Sequence, residues 1–247
     1  MIMKRLFALL LALWALPAAA LELDEMSAEE RAAFGDAVRA YLLANPQVIF
    51  EAVAIFEQQQ AAAEARADLE LVAQNRAALF EDARSWVGGN PEGDITLVEF
   101  LDYKCGFCKR AHSELAQLLE ADGNIRLIVK EFPILGEQSV TAARFALAVK
   151  NVAGDAAYKD VNDALMTFNG EIADPALRRL SSTFGLDWDA VQAEMGSDAV
   201  TQQIRDTRAL AQRLNITGTP TFVLEDEMLR GFLPADQLAA LVAVKRE

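Results

Sequence analysis

Apolar residues at Phe34, Val38, Tyr41 and Leu42 recur at i, i+4, i+7 and i+8, which predicts an amphipathic helix. Ser27, with Glu30 three positions on, has the form of a capping box at its start. Asn45-Pro46 predicts a restart, with Asn as N-cap and Pro at the first helical position. Val48, Ile49, Ala52, Val53 and Phe56 then form the apolar face of a second helix. Residues 57–85, EQQQAAAEARADLELVAQNRAALFEDARS, are rich in good helix formers, but Leu69, Val72 and Leu79 are widely spaced. That is too few apolar side chains for a local core. The segment reads as a stalk, a coiled-coil arm or a linker helix, or else as a solvated helix packed on a neighbouring domain. Its heptad signal is too thin to fix an oligomer.

The period changes after the glycine-rich breaker at residues 88–93. Residues 95–101, ITLVEFL, are mostly apolar and predict a strand buried on both faces. Residues 113–121 continue as helix, 122–124 turn, and 125–132 form a second strand, which makes a βαβ unit with a parallel pair. Residues 137–214 are again helical, with Pro175 starting one helix and Gly185 and Asp187 separating two more. Gly218-Thr219-Pro220 introduces a short strand at 221–224, with a hairpin partner at 227–230 and a closing helix at 234–244. The expectation is an α/β chain with the element order of a thioredoxin fold with a helical insertion, preceded by an N-terminal helical extension.

Residues 1–20, MIMKRLFALLLALWALPAAA, carry Lys4 and Arg5, an apolar run at 6–16 and a small-residue site at Ala18-Ala19-Ala20. This is the form of an export signal, cleaved after about Ala20. Its apolar run is too short for a bilayer core of ~30 Å. Export predicts a periplasmic, soluble mature chain, because no later apolar run approaches the ~18 residues of a span. The formal net charge is −14, and the signal contains no acid, so the mature chain is more acidic still. That balance argues against nucleic acid or anionic lipid as partner, since phosphate contacts need clustered Lys and Arg.

The only two cysteines, Cys105 and Cys108, lie in FLDYKCGFCKRAH at residues 100–112. Disulfides persist outside the cytosol, yet a chain this long can bury a core without staples, so the pair reads as chemical. Cys105 falls where a buried strand gives way to a helix, whose free N–H groups and partial positive charge favour a thiolate. Lys104 and Lys109 add positive charge. Cys105 is expected to be the exposed nucleophile, and Cys108, one turn on and more buried, the thiol that resolves a mixed disulfide. Attachment of c-type haem needs His directly after the second Cys, where Lys109 stands. Zinc commonly takes four ligands, and Cys105, Cys108 and His112 supply three, so no metal site and no cofactor is assigned. Cu(I) accepts fewer ligands and stays open as an alternative. Otherwise His112 reads as a polar residue on the exposed face of its helix. A structural bridge here would close too short a loop to stabilise much.

Glu99 lies six residues before Cys105 within the apolar strand, on the face of Ile95 and Leu97. Buried there, with its pKa raised, it could take and return the proton of the second thiol; the alternative is a solvated edge position. Lys130 in the neighbouring strand is the expected partner for its charge. Thr219-Pro220 suits a cis bond presenting backbone to a substrate, although position alone favours an ordinary trans proline at a strand start.

GDITLVEFLDYKCGFC, VKEFPILG at 129–136 and GTPTFV at 218–223 together make residues 86–247 resemble the DsbA-like thioredoxin-fold thiol:disulfide oxidoreductases. The resemblance implies a redox-active Cys105–Cys108 disulfide and a cis-proline loop at Thr219-Pro220 facing it. It also implies a buried acid at Glu99 and substrate contacts at Thr219, Pro220, Gly106 and Phe107. Strongly oxidising members carry Pro-His between the cysteines. Gly106-Phe107 is instead similar to the Cys-Gly-Tyr-Cys site of periplasmic disulfide isomerases, and Thr before the cis-proline points the same way. The extension at 21–85 is similar to the oligomerisation region of ScsC-type and Com1-type proteins, which implies a possible homotrimer through those residues; the DsbA-like domain at 86–247 carries its helical insertion at about 137–214. The implied function is a periplasmic thiol:disulfide oxidoreductase acting on protein thiol and disulfide substrates, leaning to isomerase or reductase. Its implied membrane redox partner is a DsbD- or ScsB-like reductant or a DsbB-like oxidant. The alternatives are a monomeric DsbA-type dithiol oxidase and a copper-binding envelope protein that uses the dithiol as ligand.

Overall fold

Ser27 begins the first helix as its capping box predicts: Glu30 N–H donates to Ser27 Oγ at 3.3 Å, and Ser27 N–H to Glu30 Oε2 at 2.9 Å. A computed structural model describes residues 26–247; the expected export signal at 1–20 lies outside the described residues. The chain divides into two units, Met1–Gln60 and Ala61–Glu247. In the first, α1 (Ala28–Ala44) ends at Asn45, whose backbone N–H and Nδ2 both donate to Tyr41 O at 2.8 and 2.9 Å. Asn45 thus closes one helix rather than capping the next, and α2 (Gln47–Gln74) starts just past Pro46. The apolar stripe of residues 26–60 is exposed, including Phe34, Val38, Tyr41, Ile49, Val53 and Phe56.

The second unit takes in the rest of α2 and α3 (Arg76–Phe80), followed by β1 (Trp86–Gly89) and β2 (Ile95–Leu101). Next come α4 (Gly106–Asp122), β3 (Ile125–Glu131) and a helical block: α5 (Glu137–Thr167), α6 (Asp174–Thr183), α7 (Trp188–Met195) and α8 (Asp198–Arg213). The chain ends on β4 (Thr221–Leu224), β5 (Glu227–Arg230) and α9 (Ala235–Lys245). The sheet runs β1-β3-β2-β4-β5, with β2 and β3 parallel and the other pairs antiparallel. This is the expected fold, a thioredoxin-type sheet with a helical insertion between β3 and β4. The first strand, β1, was not predicted, because Gly88 and Gly89 read as a breaker. The ladder to β3 forms despite them: Gly89 has φ +64, and a Cβ there would stand 2.3 Å from Ile125 O.

Side chains alternate between the two faces of each strand. Ile95, Leu97 and Leu101 of β2, with Leu127 and Val129 of β3, face one core that includes Leu115 and Leu118 of α4, Phe145 and Val149 of α5 and Leu238 of α9. Val98, Phe100 and Ile128 face the other, formed by Val72, Leu79, Phe80, Leu210 and Leu214. Each large side chain buried this way contributes about 1.5–3 kcal/mol. Residues 61–85, assigned from the sequence to the extension, therefore cover the second face of the sheet. Arg230 of β5 holds them there with a two-pronged contact to Asp68, at 2.5 and 2.8 Å.

Alternation also corrects the expected Lys130–Glu99 pair. Glu99 is in register with Val129, and Lys130 with Phe100, so Lys130 points to the opposite face from Glu99. Its Nζ donates instead to Ala78 O at 2.8 Å and Asp82 Oδ2 at 3.2 Å.

Candidate active site

The strand-to-helix step from β2 to α4 holds both cysteines. Cys105 is the N-cap residue of α4, in an extended conformation (φ −78, ψ 115), and its carbonyl accepts Lys109 N–H at 3.1 Å, starting the helix. The loop before it is fixed by Asp102. One carboxylate oxygen accepts Lys104 N–H at 2.8 Å; the other accepts Ile134 N–H at 2.8 Å and Leu135 N–H at 3.0 Å. This side chain ties the dithiol loop to the turn after β3 and brings exposed Ile134 and Leu135 beside it. Asp102 carries a local signal in the sequence, an Asp two residues before an N–H it can accept, but its bonds to Ile134 and Leu135 come from a distant turn.

Both cysteines are free thiols in this structure. Cys108 is fully buried and Cys105 is 7 % exposed, so the expected order of burial holds, but the nucleophile is more covered than predicted. The Sγ–H of Cys105 donates to Thr219 O at 3.1 Å, which brings the loop before β4 against the dithiol. The Thr219-Pro220 bond is cis. Phe107 is half exposed, with the Arg110 guanidinium 4.2 Å from its ring centre and 5.3 Å from that of Phe232. A Cβ on Gly106 would meet nothing within 4 Å.

Beneath the thiols, Glu99 is 2 % exposed, and among the described residues its Oε1 has no hydrogen-bond partner. Burial, with Glu131 nearby, pushes its pKa up to about 8. Burial, reinforced by the charge of Glu99, raises the Cys108 thiol well above the ordinary range. Both groups are thus held in their neutral forms, the Cys108 thiol more firmly than the Glu99 carboxyl, and an ionised Glu99 is the nearby group able to accept the thiol proton. A cavity of about 480 Å³ reaches Glu99 and is lined also by Trp86, His112, Leu115, Asn162 and Asp163. His112 is not on an open face. Its Nε2 lies 3.1 Å from Asp163 Oδ1, and burial, partly offset by that carboxylate, lowers its pKa. His112 is turned to Asp163, and among the described residues no group of three or more His, Cys, Asp or Glu side chains converges as a metal site.

Of the predicted site residues, the structure brings Cys105, Thr219 and Pro220 together, Cys105 and Pro220 buried and Thr219 half-buried, with exposed Gly106 and Phe107 on the helix start and Cys108 behind. The profile of the DSBA-like thioredoxin domain matches residues 96–243, and that of the copper resistance protein ScsC N-terminal domain matches residues 30–63. A thioredoxin-like oxidoreductase from Silicibacter pomeroyi is 43 % identical with a TM-score of 0.66, over 70 % of this chain and 98 % of that one. ScsC from Proteus mirabilis, in a transitional conformation, is 26 % identical with a TM-score of 0.65, over 90 % of this chain and 97 % of that one. The curated Na(+)/H(+) antiporter NhaA 1 of Salinispora arenicola is 26 % identical over 160 residues, 64 % of this chain; the match spans 24 % of the antiporter. The chain thus covers about a quarter of the length of that relative.

Proposed function

Because the chain belongs to the DSBA-like thioredoxin domain family, we propose that it is a thiol:disulfide oxidoreductase acting on protein substrates through Cys105 and Cys108. The observation that carries this reading is the position of Cys105: a helix N-cap thiol, against the carbonyl of Thr219, above a buried acid with an unpartnered oxygen. In the proposed cycle the Cys105 thiolate attacks a substrate disulfide. A Cys105–substrate bond forms, and the substrate's other sulfur leaves as a thiolate. Glu99 then takes the proton of Cys108, whose thiolate attacks Cys105. The internal disulfide forms, the mixed disulfide breaks, and the substrate departs fully reduced while the dithiol is oxidised. If a second substrate thiol attacks first, the substrate is isomerised and the dithiol is left reduced. Thr219 and Pro220, with Gly106 and Phe107, are the proposed surface for the substrate backbone, flanked by exposed Ile134 and Leu135.

Three features favour isomerase or reductase over oxidase. Gly106-Phe107 replaces the Pro-His of strong oxidants, Thr219 precedes Pro220, and residues 26–60 carry an exposed apolar stripe suited to self-association. Several dithiols held around one misfolded substrate raise the effective concentration of each attack. We therefore include a homotrimer through the extension, a periplasmic setting consistent with the export signal at 1–20, and a membrane reductant of the DsbD or ScsB kind. Among the described residues no helix is long and apolar enough to cross a membrane. Scrambled ribonuclease tests the isomerase reading: the reduced protein is expected to restore ribonuclease activity and the Cys105→Ala variant is not. No recovery with either would sink it, and efficient oxidation of a reduced substrate by a monomer would favour the DsbA-type oxidase.

A further inference from the structure

The proton chemistry of the dithiol has a second buried acid beside it. Glu131 ends β3 and is 3 % exposed. In the parallel register it pairs with Leu101, two positions beyond the Glu99–Val129 pair. Glu131 and Glu99 therefore project from the same face of adjacent strands, one repeat apart. Among the described residues no Lys or Arg hydrogen-bonds to either carboxyl, and Lys130 is turned to the other face. Glu131 Oε1 accepts the hydroxyls of Tyr103, at 2.7 Å, and Tyr158, at 2.6 Å. Asn162 Nδ2 donates to Tyr103 Oη at 3.0 Å, and the Trp86 ring lies 5.4 Å from that of Tyr158. This cluster draws on the loop after β2, on β1 and on α5, so its geometry is fixed from three sides. Glu131 Oε2 and Glu99 Oε1 are both buried without a partner.

Two carboxylates this close in an apolar core cannot both ionise cheaply, so the pair holds one proton over a wide pH range. The hydrogen bonds decide which carboxyl keeps it. Two hydroxyl donors converge on Glu131 and stabilise its charged form, while Glu99 has an oxygen with none. We propose that Glu131, held by Tyr103 and Tyr158, carries the negative charge of this buried pair and thereby keeps the proton on Glu99, the acid that serves Cys108. Glu131 is then a positioning residue: it acts on the dithiol only through the protonation of Glu99, whose charge is felt at Cys108. The proposal rests on the exchange reading above. In the resolving step Glu99 must first have lost its proton to solvent. It then accepts that of Cys108, and the S–S bond of Cys105 and Cys108 forms as the Cys105–substrate bond breaks.

Asp102, in the loop just after β2, lies close enough to push Glu131 toward protonation, opposing the tyrosines. Cys108 of α4 faces Glu99 as a neutral thiol. His112 of α4 and Lys159 and Asp163 of α5 line the cavity that reaches Glu99; both Nε2 of His112 and Nζ of Lys159 are spent on Asp163. Burial raises both Glu99 and Glu131.

Infrared titration of the mature, reduced protein tests this without any substrate. The carbonyl stretch of a buried protonated carboxyl is expected to persist at pH 7 and to vanish in Glu99→Gln. In Glu131→Gln the same band is expected to titrate about one pH unit lower, because the like charge is gone. The pH profile of exchange should move with it. Should Glu131→Gln fail to fold, the Tyr103→Phe, Tyr158→Phe double variant serves instead. There the proton should pass to Glu131, giving a band that Glu99→Gln no longer removes. An unchanged midpoint in Glu131→Gln, no Glu99-dependent band at pH 7, or a double variant whose band still depends on Glu99 would each overturn the proposal. Because no substrate is present, loss of ribonuclease refolding and failure of this titration are separate outcomes.

Discussion

Glu99 is held where burial works against its charge, and this has a consequence for stability as well as chemistry. Its pKa rises from 4.5 to about 8 on folding. Between those values the native chain keeps a proton that the unfolded chain has released, so stability is full below the lower value and falls as pH rises through the window. Glu99→Leu should therefore stabilise the protein by a few kcal/mol at pH 8 and by much less at pH 4.5, read from urea unfolding at both values. An equal gain at both would contradict the assigned protonation. Glu99→Gln should slow resolution of a mixed disulfide by about a hundredfold at pH 7, the usual worth of a positioned acid or base. The CGFC pair allows a different test. Gly106 has open space where a Cβ would stand, and Phe107 is half exposed, so Gly106→Pro with Phe107→His should change stability by less than about 1 kcal/mol. Its equilibrium with glutathione should move about tenfold toward the reduced dithiol. A dithiol whose equilibrium does not move would show that these two residues do not set the direction of exchange.

At the scale of elements, the periodicity of residues 95–132 made β2, α4 and β3 legible, and with them the place of the dithiol at a strand-to-helix step. The Gly88-Gly89 strand was not legible, because its pairing is supplied by β3 and not by local propensity. The Lys130–Glu99 pair failed for a readable reason: residues on adjacent strands share a face only when their register agrees, and register cannot be read from either strand alone. Tyr158 belongs to the site through α5, which no local pattern connects to Glu131. Residues 61–85 looked like stalk because Val72, Leu79 and Phe80 are sparse, yet those few side chains close the second face of the sheet. Asp68→Ala would leave Arg230 without its main partner and should cost about 1–2 kcal/mol in denaturant unfolding. No loss would mean that apolar cover alone holds this part of α2 in position.

For the whole molecule, the exposed stripe on residues 26–60 and the cover provided by residues 61–85 assign different tasks to two parts of one helical segment. Removing residues 21–60 should convert the proposed trimer into a folded, active monomer by light scattering. Removing residues 21–85 should also expose Val98, Phe100 and Ile128 and lower solubility. The dithiol was legible as a short motif, whereas the cis bond at Thr219-Pro220 was not: position alone favoured a trans proline, and only the family resemblance pointed to it. The contacts of Asp102 and the Glu131 cluster were not legible, because they exist only once distant elements meet. The central claim, that Cys105 attacks a substrate disulfide and Cys108 resolves it, is tested most directly by trapping. Cys108→Ala, incubated with a disulfide-bonded peptide, should accumulate a mixed disulfide at Cys105 detectable by intact mass, while the unaltered chain releases reduced peptide and becomes oxidised. A Cys108→Ala protein that forms no adduct, or forms one equally well after Cys105→Ala is added, would contradict it.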